Sequence, residues 1–160
     1  MTDIRIINGF EFVILGDVYL CDTPLKATHK GNSFDWFVSL KPTNVKLLDA
    51  EESAYVVFFD DELVYIGEYS TTFSDRWLRN KKYLWHSDNI DNHAKEALLQ
   101  SQQVTIWITK DPYIEGPCGR EFNMSKIIEH EILKIAPPRL NKRNSGLKRP
   151  THAVRVSDII

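Results

Sequence analysis

The side chains able to do chemistry gather in a few short stretches of this chain. Arg76, Arg79, Lys81 and Lys82 put four basic groups within seven residues. That density suits contact with phosphate oxygens as well as it suits a solvated helix face. Further on, a helical period of about 3.6 residues per turn places Ile128, Glu131, Ile132 and Ile135 on one stripe, with Glu129 on its flank beside Leu133. A carboxylate on an apolar stripe is costly to bury, so it marks either an ion pair or a site. Periodicity points to Glu131, and Glu129 stands next to it. From Ile132 to Ser157 no acidic residue occurs, while Lys134, Arg139, Lys142, Arg143, Lys148, Arg149 and Arg155 all fall there. Such a stretch is either a solvated end, as Asn144-Ser145-Gly146 suggests, or an arm for DNA, where each phosphate neutralised releases counterions. Tyr55 and Tyr65 lie in strand-like runs, where a tyrosine by itself is a packing residue with its hydroxyl at the surface.

Other chemistries find no support. His29, His86, His93, His130 and His152 show no metal-ligand spacing, and Cys21 and Cys118 form neither a zinc pattern nor a disulfide framework. They read as free thiols in a reducing compartment. The formal net charge of -2 means that any nucleic-acid binding must come from local basic clusters. The N-terminal segment MTDIRIINGFEF lacks the pattern of a secretory leader, and no apolar run is long enough to span a bilayer. The expected location is the cytoplasm.

These residues must be positioned by a mixed set of elements. At 160 residues with 42% apolar side chains, one domain with a closed core is expected, needing no metal or disulfide to hold it. Residues 1–50 are rich in strand formers, with Gly9 and Gly16 at turns or bulges and a further turn at Gly31-Asn32-Ser33. Phe34 to Leu40 reads as a strand ended by Pro42. Ala54 to Phe59 is a buried strand, Asp60-Asp61 a tight turn, and Leu63 to Gly67 the returning strand. A helix from about Ser74 follows, capped from within Ser70–Ser74. A second begins at Asp91 or Asn92 with Ala94, Ala97, Leu98 and Ser101 on one face. Val104 to Thr109 is a strand, 111–123 a loop, and a last helix runs from near Ser125 to before Pro137-Pro138, where proline cannot continue it.

The spacing of several residues together resembles the GIY-YIG nuclease family. Tyr55 through VVFFDDELV to Tyr65-Ile66-Gly67 is similar to the family's paired-strand motif, and DDELVYIGEY looks like that of small phage endonucleases. In the first half Ser53-Ala54-Tyr55 stands where Gly-Ile-Tyr would. Arg76, nine residues after Gly67, falls where the family has an arginine. EHEILKIAPPRLN, from Glu129 to Asn141, resembles the family pattern in which Glu, Lys, Pro and Asn recur, with Lys134, Pro138 and Asn141 in register and Leu140 replacing a tyrosine. The resemblance covers residues 54–141. Glu68 stands where most members have lysine, and Asn80 where many have histidine, with Tyr83 and His86 as stand-ins.

What the resemblance implies is specific. The fold would be α/β (α+β), a small antiparallel sheet flanked by helices, with 1–53 a β-rich extension of the same domain, 54–141 the nuclease core and 142–160 a basic tail. The activity would be hydrolysis of phosphodiester bonds in double-stranded DNA, of restriction or phage type. Tyr55, alone or paired with Tyr65, would orient or deprotonate water; a phenol is a weak base at its ordinary pKa of about 10, so lowering by Arg76 or the metal is implied. Arg76 would stabilise the pentacovalent phosphate, since a planar, permanently charged fork grips phosphate. Glu129 would be the sole protein ligand of Mg²⁺ or Mn²⁺, which keeps several waters and needs only one or two carboxylates. Asn141 would bind near the phosphate or hold the glutamate's surroundings in shape. Arg79, Lys81, Lys82, Lys142, Arg143, Lys148 and Arg149 would contact DNA. One such site handles one strand, so a homo-oligomer would cut both. The alternative on the same scaffold is a catalytically degenerate nucleic-acid-binding module.

Overall fold

The computed structural model describes residues 3–29, 32–79, 83–84 and 90–141. In chain order these form β1 (Ile4–Ile7), β2 (Phe10–His29), β3 (Asn32–Pro42), β4 (Glu51–Phe59), β5 (Glu62–Thr72), α1 (Phe73–Trp77), β6 (Leu78–Arg79), β7 (Tyr83–Leu84), α2 (Ile90–Leu99), β8 (Val104–Thr109), β9 (Tyr113–Glu115), β10 (Glu121–Asn123) and α3 (Ser125–Ile135). The chain is a mixed α+β protein built on an antiparallel sheet in the order β5-β4-β8-β2-β3-β7-β6, with β1 paired to β2. The expected succession of hairpin, two helices, strand and helix is present from β4 onward.

The sheet cannot be flat. Six strand-to-strand steps at about 4.8 Å each would hold β5 and β6 roughly 29 Å apart. Only α1 joins them, and the path from Thr72 to Leu78 reaches at most about 21 Å even when fully extended. The sheet therefore curls, bringing its two ends toward each other around α1. One face carries Tyr55, Val57, Val64, Tyr69, Val104 and Ile106 and packs on Phe73 and Trp77 of α1 and on Ile90, Ala94 and Ala97 of α2. The other face carries Ala54, Val56, Phe58, Ile66 and Trp107 and packs on Ile128 and Ile132 of α3. Being covered on both faces, β4 is buried from Ser53 to Phe59 and β8 is buried throughout, which is why both read as near-continuous apolar runs.

Turn chemistry follows residue type. Asn8 and Gly9 both have positive φ between β1 and β2, as a two-residue hairpin with the strands' right-handed twist requires. Asp60 takes the same role between β4 and β5 without glycine, at φ 50°; its carboxylate accepts from Gln103 N at 2.9 Å and its own N–H donates to Gln103 O, ties that offset the strain of the left-handed backbone. Gly31 lies outside the described residues.

Three expectations are revised. The helix after the hairpin is only five residues long, capped by Thr72 Oγ1 accepting from Asp75 N at 3.1 Å, because Leu78 turns outward to join the sheet as β6. The segment 111–123 contains the β9–β10 ribbon. On α3 the buried residues are Ser125, Ile128 and Ile132, with Leu133 packed beside them, while Ile135 is 61% exposed. The helix is thus rotated relative to the stripe read from sequence, because both of its ends are pinned to the hairpin.

Candidate functional site

The hairpin of β4 and β5 gathers the aromatic part of the site. Tyr55 pairs with Gly67 and Val57 with Tyr65, so alternation sets both tyrosines on the face that α1 covers. Their ring centroids are 5.8 Å apart. Tyr55 also meets Phe73 and Trp77 edge-on, each at 5.7 Å. A Cβ on Gly67 would lie 2.7 Å from Tyr55 Cε1 and 2.8 Å from its hydroxyl oxygen. The glycine of Tyr-Ile-Gly is therefore required for packing, since the Tyr55 ring lies across the bare backbone of β5. Arg76 is exposed on α1 and its guanidinium sits 4.5 Å from the centre of the Trp77 ring, a cation–π contact that orients the fork.

Burial divides the two tyrosines. Tyr65 is half-buried. Tyr55 has no exposed surface at all, and in this arrangement a side chain so enclosed touches neither solvent nor DNA. The expected role of Tyr55 in orienting water is thus replaced by a core role: it is the platform on which Tyr65, Gly67 and α1 rest.

The acidic part lies on the opposite face. Ala54 pairs with Glu68 and Val56 with Ile66, so Glu68 and Ile66 point toward α3. The helix is anchored at its start by Ser125 Oγ, which donates to Glu52 O at 3.1 Å, with Asn123 Nδ2 donating to the same carbonyl at 2.7 Å. Glu129 follows one turn later, facing the hairpin. Burial first and the Glu68 carboxylate second raise its pKa from 4.5 to about 7, against an opposing effect of Lys126. Oε2 of Glu68 is sealed from solvent with no hydrogen-bond partner among the described residues. Glu131 is half-buried.

Asn141 ties the two parts together. β5 is an edge strand, and beyond α3 the chain returns along it. Leu140 N donates to Val64 O at 3.0 Å, Ile66 N donates to Asn141 Oδ1 at 2.9 Å, and Asn141 Nδ2 donates to Ile66 O at 2.7 Å. A buried side-chain amide thereby completes the hydrogen bonding of the middle residue of Tyr-Ile-Gly, which would otherwise be an open edge. These bonds give Asn141 a structural part on the β5 edge.

The expected residues are thus brought to one strand, on its two faces: Tyr65 and Arg76 with their Tyr55 platform on one, Glu129 on the other, and Asn141 on the edge between. Lys81, Lys82, Lys142, Arg143, Lys148 and Arg149 lie outside the described residues, as does His86; Arg79 is described only as backbone of β6. Tyr83 donates its hydroxyl to Thr23 O at 3.3 Å. Sequence reasoning noticed Glu68 only as a departure. Strand alternation alone would have placed it with Ile66, opposite Tyr65, but nothing in the pattern said that α3 covers that face.

Elsewhere, an open cleft of about 440 Å³ is lined by Arg5, Ile6, Ile7, Asn8, Phe58 and Leu63, and it contains none of these residues. No described helix is long and apolar enough to cross a membrane. Comparison with protein-family models, with curated proteins and with solved structures finds no match of any kind.

Proposed function

We propose that this chain is a divalent-metal-dependent endonuclease of GIY-YIG type that hydrolyses phosphodiester bonds in double-stranded DNA. The observation that carries the reading is the treatment of the Tyr65-Ile66-Gly67 strand. It is a sheet edge with an arginine and a half-exposed tyrosine on one face, a carboxylate of raised pKa on the other, and a buried asparagine clamping the middle residue. A purely structural hairpin has no need of a desolvated glutamate beside its edge.

Among the described residues no three or more His, Cys, Asp or Glu side chains gather to hold a metal, so an Mg²⁺ or Mn²⁺ ion would have the half-buried Glu129 as its protein ligand and would draw the rest of its shell from water. Bound, such an ion supplies Lewis-acid stabilisation of the leaving 3′ oxygen. Tyr65 and Arg76, the latter kept in place by Trp77, can meet a phosphate through hydroxyl and guanidinium, but they lie on the opposite face of the sheet from Glu129, so catalysis requires the two faces to meet on one phosphate around the β5 edge. Tyr55 fixes the Tyr65 ring, and Asn141 keeps β5 from shifting against α3.

Plasmid incubated with purified protein and Mg²⁺ is expected to be nicked or linearised, and EDTA is expected to abolish this. A second reading, a binding module without catalysis, is favoured by the complete burial of Tyr55. Gel shift of DNA with no scission in Mg²⁺ or Mn²⁺ would decide for it.

A further inference from the structure

We propose that the outer edge of β1 docks a second copy of this chain, so that two β1 strands pair antiparallel about a two-fold axis and the sheet runs on from one protomer into the next. The proposal does not rest on the nuclease reading.

The direction of the backbone groups comes first. Among the described residues β1 pairs only with β2. Ile7 and Phe10 face each other across the two-residue turn, and at the far end Ile14 N donates to Asp3 O at 3.3 Å. Bonded and non-bonded positions alternate along an antiparallel pair, so Asp3, Arg5 and Ile7 turn their backbone groups toward β2. The N–H and C=O of Ile4 and of Ile6 therefore point outward, along an edge that no described strand pairs with. The side chains of these two residues are 46% and 69% exposed. Arg5 and Ile7 lie on the α3 face, so alternation puts Ile4 and Ile6 together on the other.

Edge strands are ordinarily blunted by outward charge, proline or a bulge. β1 has neither proline nor bulge, and its one charge is turned inward. The Arg5 guanidinium sits 4.1 Å from the centre of the Phe58 ring and 4.7 Å from that of Trp107, with Asp61 at 3.5 Å. The edge that remains is complementary to itself. With the axis at Arg5, Ile4 lies opposite Ile6 of the partner subunit, each N–H meets a C=O, and the isoleucines of both copies close on one face. On the other face the exposed Asp3 stands diagonal to Arg5 of the partner subunit, an opposite-charge pair. The two arginines meet at the axis, but each is held over its own rings beside its own Asp61, which offsets their repulsion. A strand of four residues buries well under the roughly 1,200 Å² of a stable complex. The dimer is therefore weak, with a Kd on the order of 10–100 µM.

The test is analytical ultracentrifugation of the full-length chain from about 1 to about 500 µM, with amide hydrogen exchange at both ends of that range. A monomer–dimer equilibrium is expected, without larger species, because two-fold pairing uses up the edge. At high concentration the amides of Ile4 and Ile6 should gain protection, whereas that of Arg5, already bonded to β2, should change little. Ile6→Lys alters a residue that is 69% exposed in the protomer, so the fold should be kept and the dimer should weaken at least tenfold. Ile135→Lys, at an isoleucine 61% exposed on α3, should dimerise as the wild-type chain does. The proposal is overturned by a chain that stays monomeric throughout, or by a dimer that Ile6→Lys leaves intact or Ile135→Lys weakens as much. It is equally overturned by a dimer in which the Ile4 and Ile6 amides exchange as fast as in the monomer.

Discussion

At the scale of single residues the proposed chemistry turns on Glu129, the half-buried glutamate on α3. Glu129 ionises near 4.5 in the unfolded chain and near 7 when folded. Between those values the folded state holds a proton that the unfolded state lacks. Its contribution to stability is therefore fully present below about pH 4.5 and is lost as pH rises through 7. Metal binding follows the opposite course, because the ion needs the carboxylate and displaces the proton. We expect Mn²⁺ affinity to climb between pH 6 and 8 in the wild-type chain, measured by calorimetric titration. Affinity that is flat across that range would contradict the assignment. After discounting for solvent screening of a partly exposed group, Glu129→Gln should stabilise the metal-free chain at pH 8 by about 1 kcal/mol. The tyrosines separate in the same way. Tyr65→Phe should lower kcat by about 10²-fold. Tyr55→Phe keeps the ring and should stay within about tenfold of wild type, whereas Tyr55→Ala should cost about 3–5 kcal/mol of stability. A larger kcat loss for Tyr55→Phe than for Tyr65→Phe would return the catalytic role to Tyr55.

Elements turn these residues into a site by constraining one another. β5 accepts the Tyr55 ring across Gly67, so Gly67→Ala must move either the ring or the strand, since its Cβ would meet the ring at 2.7 Å. The edge of β5 is closed by the segment after α3. Asn141→Ala removes two hydrogen bonds with Ile66 and leaves a buried donor and acceptor unmet, a cost of about 2–4 kcal/mol. Hydrogen exchange at Ile66 should accelerate well beyond that of Val56 on the neighbouring buried strand. Equal protection of the two amides in the variant would show that the clamp does not hold the edge. This part of the fold was partly legible beforehand. Apolar runs revealed β4 and β8, and proline ended α3. The five-residue length of α1 was hidden, because Leu78 continues an apolar pattern that suits a helix as well as a strand. The β9–β10 ribbon was hidden too, since three-residue strands carry too little alternation to be seen.

For the whole molecule, the N-terminal strands are structural partners of the hairpin. β8 lies between β4 and β2, paired to Tyr55 through Phe59 on one side and to Phe12 through Val18 on the other. Phe12, Leu15 and Val18 are buried in the same layers. Removing residues 1–42 would turn β8, buried throughout, into an open edge and expose the apolar surface beneath it. We expect residues 43–160 alone to aggregate or to lack dispersed amide signals in NMR. A folded fragment with native-like spectra would show that the hairpin core is independent.

Local chemistry in the sequence was enough to specify the hairpin turn at Asp60, the buried strands and the end of α3, since each depends on residue type or on short spacing, whereas the set Tyr55, Tyr65, Arg76, Glu129 and Asn141 came from the family resemblance alone. Which face each member occupies, how deeply Tyr55 is enclosed, the rotation of α3 and the meeting of Glu68 with Glu129 were decided only by the tertiary structure. Those facts depend on which element covers which side of the sheet, and strand alternation determines relative faces without saying what lies above either one.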